Sequence, residues 1–209
     1  MNWTFLPRRV GPPRRIGGLF LIALLWPTAA EAHLVNTGLG PLYDGISHLL
    51  LSMEDLLPVL AIALLAGLNG PVAGRRSLFA LSGAWLAGGA LGYSTGLNVF
   101  PDTITCLSFL ILGGLTAADR RLSPHLVLAL AITLGLVHGW LNGVALQTDE
   151  LEFLSLVGID ATVFVLIGLI SAVVIAMKAV WMRIVVRVAG SWIAASGLLM
   201  LGWSLRGSI

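Results

Sequence analysis

The sequence predicts an all-α polytopic membrane protein, a compact bundle of six transmembrane helices that follows a cleaved signal peptide. Of its 209 residues, 57% are hydrophobic and only 11% are charged, whereas a soluble domain carries about 25% charged residues. The mean hydropathy is +0.96. The few charges fall in short clusters between apolar runs long enough to cross a bilayer. These figures exclude a soluble enzyme, a coiled coil and a disordered chain. The net charge of +2 does not point to nucleic acid, because Arg8, Arg9, Arg14 and Arg15 gather at the extreme N-terminus.

Those arginines open a secretory leader. An apolar run follows from Ile16 to Trp26, then a small-residue exit in which Ala30-Glu31-Ala32 fits the A-x-A cleavage pattern. The expected organisation is a signal peptide over 1–32 and a single transmembrane domain over 33–209, with His33 as the mature N-terminus. An uncleaved signal anchor is the alternative. The single cysteine, Cys106, cannot form an internal disulfide or a Cys-rich metal centre, so a metal is expected to bind through N and O ligands.

Six apolar segments follow the leader, at about 45–67, 78–96, 103–118, 126–146, 154–177 and 184–205. At ~1.5 Å per residue, those near 20 residues cross a core of ~30 Å. The third is the shortest. Between them the loops alternate in charge: Arg75 and Arg76, Asp102, Arg120 and Arg121, then Asp149, Glu150 and Glu152, then Lys178 and Arg183. Positive loops face the cytoplasm, which places His33, the acidic loops and the C-terminus outside the inner membrane. Small residues recur every fourth position at Ala80, Ala84, Gly88, Gly92 and Gly96, and again at Gly135, Gly139 and Gly143. Such stripes let helix backbones approach, and they predict a bundle with the fourth span near its centre.

Ionisable groups inside a membrane cost about 2.5–3.5 kcal/mol each on insertion scales and are read as functional by default. The first span holds His48, Glu54 and Asp55, the fourth His138 with Asn142, and the fifth Asp160. On a continuous helix Asp44, His48 and Asp55 share a face, as do His138 and Asn142. Glu54 lies ~100° from Asp55 and points elsewhere. Pro58 leaves the Glu54 carbonyl without its helical donor. Imidazole, carboxylate, amide and free carbonyl form a mixed N/O set suited to divalent nickel, cobalt or zinc. Interhelical hydrogen bonds that lock the bundle are the alternative use of the same residues. A serine hydrolase built on Ser82 and His138 fails on depth, with ~12 Å between them along the membrane normal.

Gly45-Ile-Ser-His48, Ser52-Met-Glu54-Asp55 and His138-Gly-Trp-Leu-Asn142-Gly143 resemble the HupE/UreJ family of hydrogenase and urease accessory membrane proteins. The resemblance covers most of the mature chain. It implies a six-helix bundle that supplies nickel, with no organic cofactor, no nucleic-acid partner and no catalysis. His33, His48, Glu54 and His138 stand where the family has His, His, Asp and His. Asp55 and Asn142 stand where its motifs have further histidines, Leu49 replaces the proline after His48, and Leu166 stands where the fifth span has its histidine. The metal set implied is therefore His33, His48, Glu54, Asp55, His138 and Asn142. A non-transporting subunit of a larger membrane complex is the competing expectation, whereas a permease surrounded by lipid is expected alone or as a homo-oligomer.

Overall fold

The structure is a computed structural model that describes residues 37–101, 103–148 and 153–206. The leader, His33, Asp102 and the acidic loop at 149–152 lie outside the described residues. Seven helices and no strands form the described chain: α1 (Pro41–Leu51), α2 (Met53–Leu68), α3 (Pro71–Thr95), α4 (Thr103–Ala117), α5 (Pro124–Thr148), α6 (Phe153–Ala176) and α7 (Val180–Arg206). By length and composition, α5, α6 and α7 can each cross a membrane, and α1 with α2 passes the same test as a bent pair. Pro71 and Pro124 stand at helix starts, where the missing N–H costs nothing.

The expected first span is not one helix. It breaks at Ser52, and α1 and α2 meet at 73°. Ser52 gives its N–H to the His48 carbonyl and closes α1, while its own carbonyl accepts from Asp55 and Leu56 and opens α2. The break lies six residues before Pro58, which stands inside α2. Its cause is local: Ser-x-x-Asp is a helix-start pattern, and acids in a first turn favour the positive end of the helix dipole. Ser52, Glu54 and Asp55 together make this a better beginning for a helix than a middle.

The bundle is held together through its small residues. A side-chain carbon on Gly88, Gly92, Gly135, Gly139 or Gly143 would overlap the backbone of Leu136, Trp140, Leu81, Trp85 or Gly89 respectively. These approaches seal α3 against α5, the most extensive helix pair. In the same way Gly113, Gly190 and Gly197 close α4 on α7, and Gly45 and Gly158 close α1 on α6. Gly96 leaves the expected stripe: it ends α3 in the left-handed conformation, at φ 62°, which glycine adopts without steric cost.

The centre also differs from the expectation. The second half of the broken span, α2, contacts all six other helices, and its Val59, Ala61, Ile62, Ala63, Leu65 and Ala66 are fully buried. Half-length and rich in alanine, α2 fits where a bulkier helix would not. At the opposite end from Asp55, Asn69 accepts from the Leu122 N–H at 2.7 Å, and Arg183 pairs with Asp119 at 2.6 Å. Both charged side chains are partly exposed, and exposed pairs contribute ~0–1 kcal/mol. Arg183→Ala is therefore expected to lower stability by no more than about 1 kcal/mol, read from thermal unfolding of the purified protein.

Candidate metal site

The helix break positions the site. Because α2 starts at Met53, Asp55 falls in its first turn and turns inward between α1 and α5, with only 6% of its surface exposed. The His138 ring nitrogen Nδ1 donates to Asp55 Oδ1 at 2.9 Å. Asn142, one turn further along α5, donates from Nδ2 to Asp55 Oδ2 at 3.0 Å. The same amide nitrogen also reaches the His138 carbonyl at 2.9 Å. From the last turn of α1, His48 Nε2 stands 3.6 Å from Asp55 Oδ2. Ser52 Oγ donates to that oxygen at 3.4 Å. Two imidazoles, an amide and a hydroxyl, contributed by α1, α5 and the break at Ser52, thus face one buried carboxylate.

Hydrogen-bond bookkeeping fixes the amide and leaves one atom open. Asn142 Nδ2 meets two acceptors, so its orientation follows from the network. Its Oδ1 is buried and has no hydrogen-bond partner. On the far side of His138, Nε2 lies 3.1 Å from Ser108 Oγ, and Ser108 Oγ also donates to the Thr105 carbonyl at 2.7 Å. A hydroxyl has one proton to give. When Ser108 gives it to Thr105, His138 must donate from both nitrogens and is the cation. When His138 is neutral, the Ser108 hydroxyl turns to Nε2. Ser108 can satisfy His138 in either state. Trp85, fully buried, packs with its ring 5.8 Å from the His138 ring and tilted by 33°.

Asp55, His138 and Ser108 stand in the order of a nucleophile relay, yet the surroundings do not suit one. Ser108 lies inside α4, where neighbouring backbone amides are engaged in the helix, so they cannot form an oxyanion hole. Beside it is a cavity of about 170 Å³ lined by Ile104, Leu107, Ile111 and Leu130. The arrangement suits holding a proton or a cation at Asp55.

A metal needs donors that are not already committed. Among the described residues, no three His, Cys, Asp or Glu side chains converge closely enough to hold an ion by themselves. The edge open to an ion is made of His48 Nε2, Asp55 Oδ2, which would have to share or release its hydrogen bonds from Asn142 and Ser52, and Asn142 Oδ1, which has no hydrogen-bond partner. With ligand bonds of ~2.0–2.1 Å, the 3.6 Å gap between the first two corresponds to about 120° at a shared ion. Asn142 Oδ1 is the remaining buried oxygen of the cluster without a hydrogen-bond partner.

Matching across residues 21–200, the family model described as HupE / UreJ protein covers most of the sequence. The chain belongs to the HupE/UreJ family. No curated protein and no solved structure matches it. HupE/UreJ proteins are generally linked to accessory transport of nickel and cobalt, an accessory family rather than a catalytic one.

Within this HupE/UreJ chain the predicted residues divide. The structure brings His48, Asp55, His138 and Asn142 together and turns Glu54 away, into an exposed position beside α4 and α7. Asp44, expected on the His48 face, instead accepts from the Thr37 backbone and hydroxyl at 2.6 Å each and caps the start of the fold. Asp160 is faced by Ser82 across the α3 and α6 boundary. His33 lies outside the described residues. Sequence reasoning missed Ser52, Ser108 and Trp85. Ser-x-x-Asp at Ser52 was a usable signal, whereas Ser108 sits in an ordinary apolar helix and nothing in its spacing marks it.

Proposed function

We propose that the protein carries a divalent cation, nickel with cobalt or zinc as alternatives, across the bacterial inner membrane to supply metalloenzyme maturation. The observation that supports this reading best is the single buried carboxylate of Asp55, faced by His48 and His138 from different helices and by the uncommitted amide oxygen of Asn142. The ion binds His48, Asp55 and Asn142, and His138 holds Asp55 in place from behind, as outer partners commonly orient metal ligands. All six apolar segments span the membrane, with α1 and α2 as one broken crossing, and cleavage after Ala32 exposes His33 on the periplasmic side. Irregular backbone at membrane depth is tolerated where it lines a cavity, and broken helices of this kind form ion sites in transporters.

Protons compete with the metal, since an imidazole binds only when neutral. Nickel accumulation by cells that produce the protein is expected to fall as external pH drops from about 8 to about 5, the range over which histidines change charge. His48→Ala and His138→Ala are expected to lower accumulation at least about 10-fold, the lower end for loss of a ligand or its orienting partner. If both variants insert, fold and still accumulate nickel as the parent does, the transport reading fails. Co-purification in fixed ratio with large membrane partners would then favour a structural subunit.

A further inference from the structure

Both α4 and α5 pack on α2 but scarcely touch each other. Their close-approach glycines serve other seams: Gly113 meets α7, and Gly135, Gly139 and Gly143 meet α3. The α4 and α5 seam is lined instead by positions 104 to 112 and 130 to 138, recurring every three or four residues, so each helix turns one face to it. Leucine and isoleucine side chains on those faces hold the backbones apart and leave the cavity of about 170 Å³ beside Ser108. Leu107 and Ile111 are 39% and 50% exposed and, with the exposed Thr133 opposite, form a rim that opens toward the outside of the bundle.

Size and chemistry narrow the occupant. An apolar cavity of about 150 Å³ holds one benzene ring. The inner wall here is polar, made of Ser108 and the buried His138, whose Nε2 lies 3.1 Å from Ser108 Oγ. The other ring nitrogen donates to Asp55 at 2.9 Å. The shorter contact of Ser108, at 2.7 Å, is to the Thr105 carbonyl. With that proton given to Thr105, a neutral His138 keeps an unmatched lone pair on Nε2 at the cavity wall, and a buried acceptor without a donor is costly. We infer that the seam binds a neutral molecule of the phenol class, one aromatic ring with one hydroxyl, which enters from the membrane and donates to His138 Nε2. Its ring fills the space between Leu107, Ile111 and Leu134, and its hydroxyl supplies the hydrogen bond that Ser108 gives to Thr105. A lipid acyl chain matches the apolar walls and leaves that acceptor unmatched. The inference stands apart from the permeation reading, since it requires neither a metal nor transport.

The chain has four histidines, so full-length protein made with isotope-labelled histidine and placed in lipid bilayers gives a readable nitrogen NMR spectrum. The His138 signals are those lost in His138→Gln. Phenol titrated into the bilayers is expected to move the His138 Nε2 signal saturably and to leave that of His48 in place. Toluene has the same ring and no hydroxyl. At equal concentration in the membrane it is expected to bind at least about 5-fold more weakly, the factor supplied by one hydrogen bond of ~1 kcal/mol. Leu134→Phe fills the cavity from its buried wall and is expected to abolish the shift. Leu107→Trp, at the half-exposed rim, is expected to do the same and serves where Leu134→Phe does not fold. The proposal is overturned if phenol leaves the His138 signal unmoved, as it would with an acyl chain in the seam. It is overturned equally if toluene binds as tightly as phenol, or if the folded variant responds as the parent does.

Discussion

Gly139→Leu is expected to leave little or no folded protein in the membrane. A side-chain carbon at Gly139 already overlaps the Trp85 backbone, so leucine must push α3 from α5 along the most extensive helix contact in the bundle. Overpacking a core costs about 1–3 kcal/mol where side chains can shift, and occasionally more. Here the obstacle is backbone, and the expected cost lies above that range. The displacement also has a chemical consequence, because Gly139 follows His138 and its neighbour Trp85 packs on the His138 ring. Gly114→Leu is the control, since nothing lies within 4 Å of a side-chain carbon there. Yield of monodisperse protein after mild detergent extraction separates the two: near zero for Gly139→Leu and near parental for Gly114→Leu.

Asp55→Ala is expected to have the largest effect on function while damaging stability as well. Removing the carboxylate leaves the His138 Nδ1 proton and the Asn142 amide without their acceptor and takes away the oxygen 3.6 Å from His48 Nε2. Breaking a buried charged pair in this way costs about 3–5 kcal/mol. Nickel binding is expected to fall at least about 100-fold, the upper end for loss of a supporting group, since the proposed site uses Asp55 both as a ligand and as the group that His138 orients. Asp55→Asn keeps the shape and loses the charge. It is expected to recover part of the stability, seen as a partial return of the unfolding temperature, and none of the metal affinity, seen by titration calorimetry.

Much of this architecture could be read from the residues, and the reasons are specific. Helix positions followed from apolar runs bounded by charge, so α3 to α7 lie within a few residues of their expected ranges except at the N-terminal ends of α3 and α7. There Pro71 and Val180 start the helices earlier because arginines extend a helix without adding hydropathy. The glycine stripes of α3 and α5 were legible as surfaces of close approach, but their spacing alone did not say that the two stripes meet each other. The break at Ser52 was obscured because the apolar run continues across it, and the continuous-helix geometry then assigned Asp44 to the wrong company. His48 and Asp55 meet regardless, since the bend folds α1 back toward the first turn of α2. The partners on α5 were legible because His138 and Asn142 stand one regular turn apart. Ser108 and Trp85 were not, because their importance lies in which helix they face, and apolar periodicity does not encode that.

The central claim is that a divalent ion binds at the helix break through His48, Asp55 and Asn142. An X-ray absorption spectrum of the purified full-length protein loaded with one equivalent of nickel tests it most directly. The account predicts a first shell of nitrogen and oxygen near ~2.1 Å, the outer-shell scattering of imidazole, and loss of that imidazole signal in His48→Ala. A first shell without imidazole scattering in the parent, or a spectrum unchanged by His48→Ala, would contradict it.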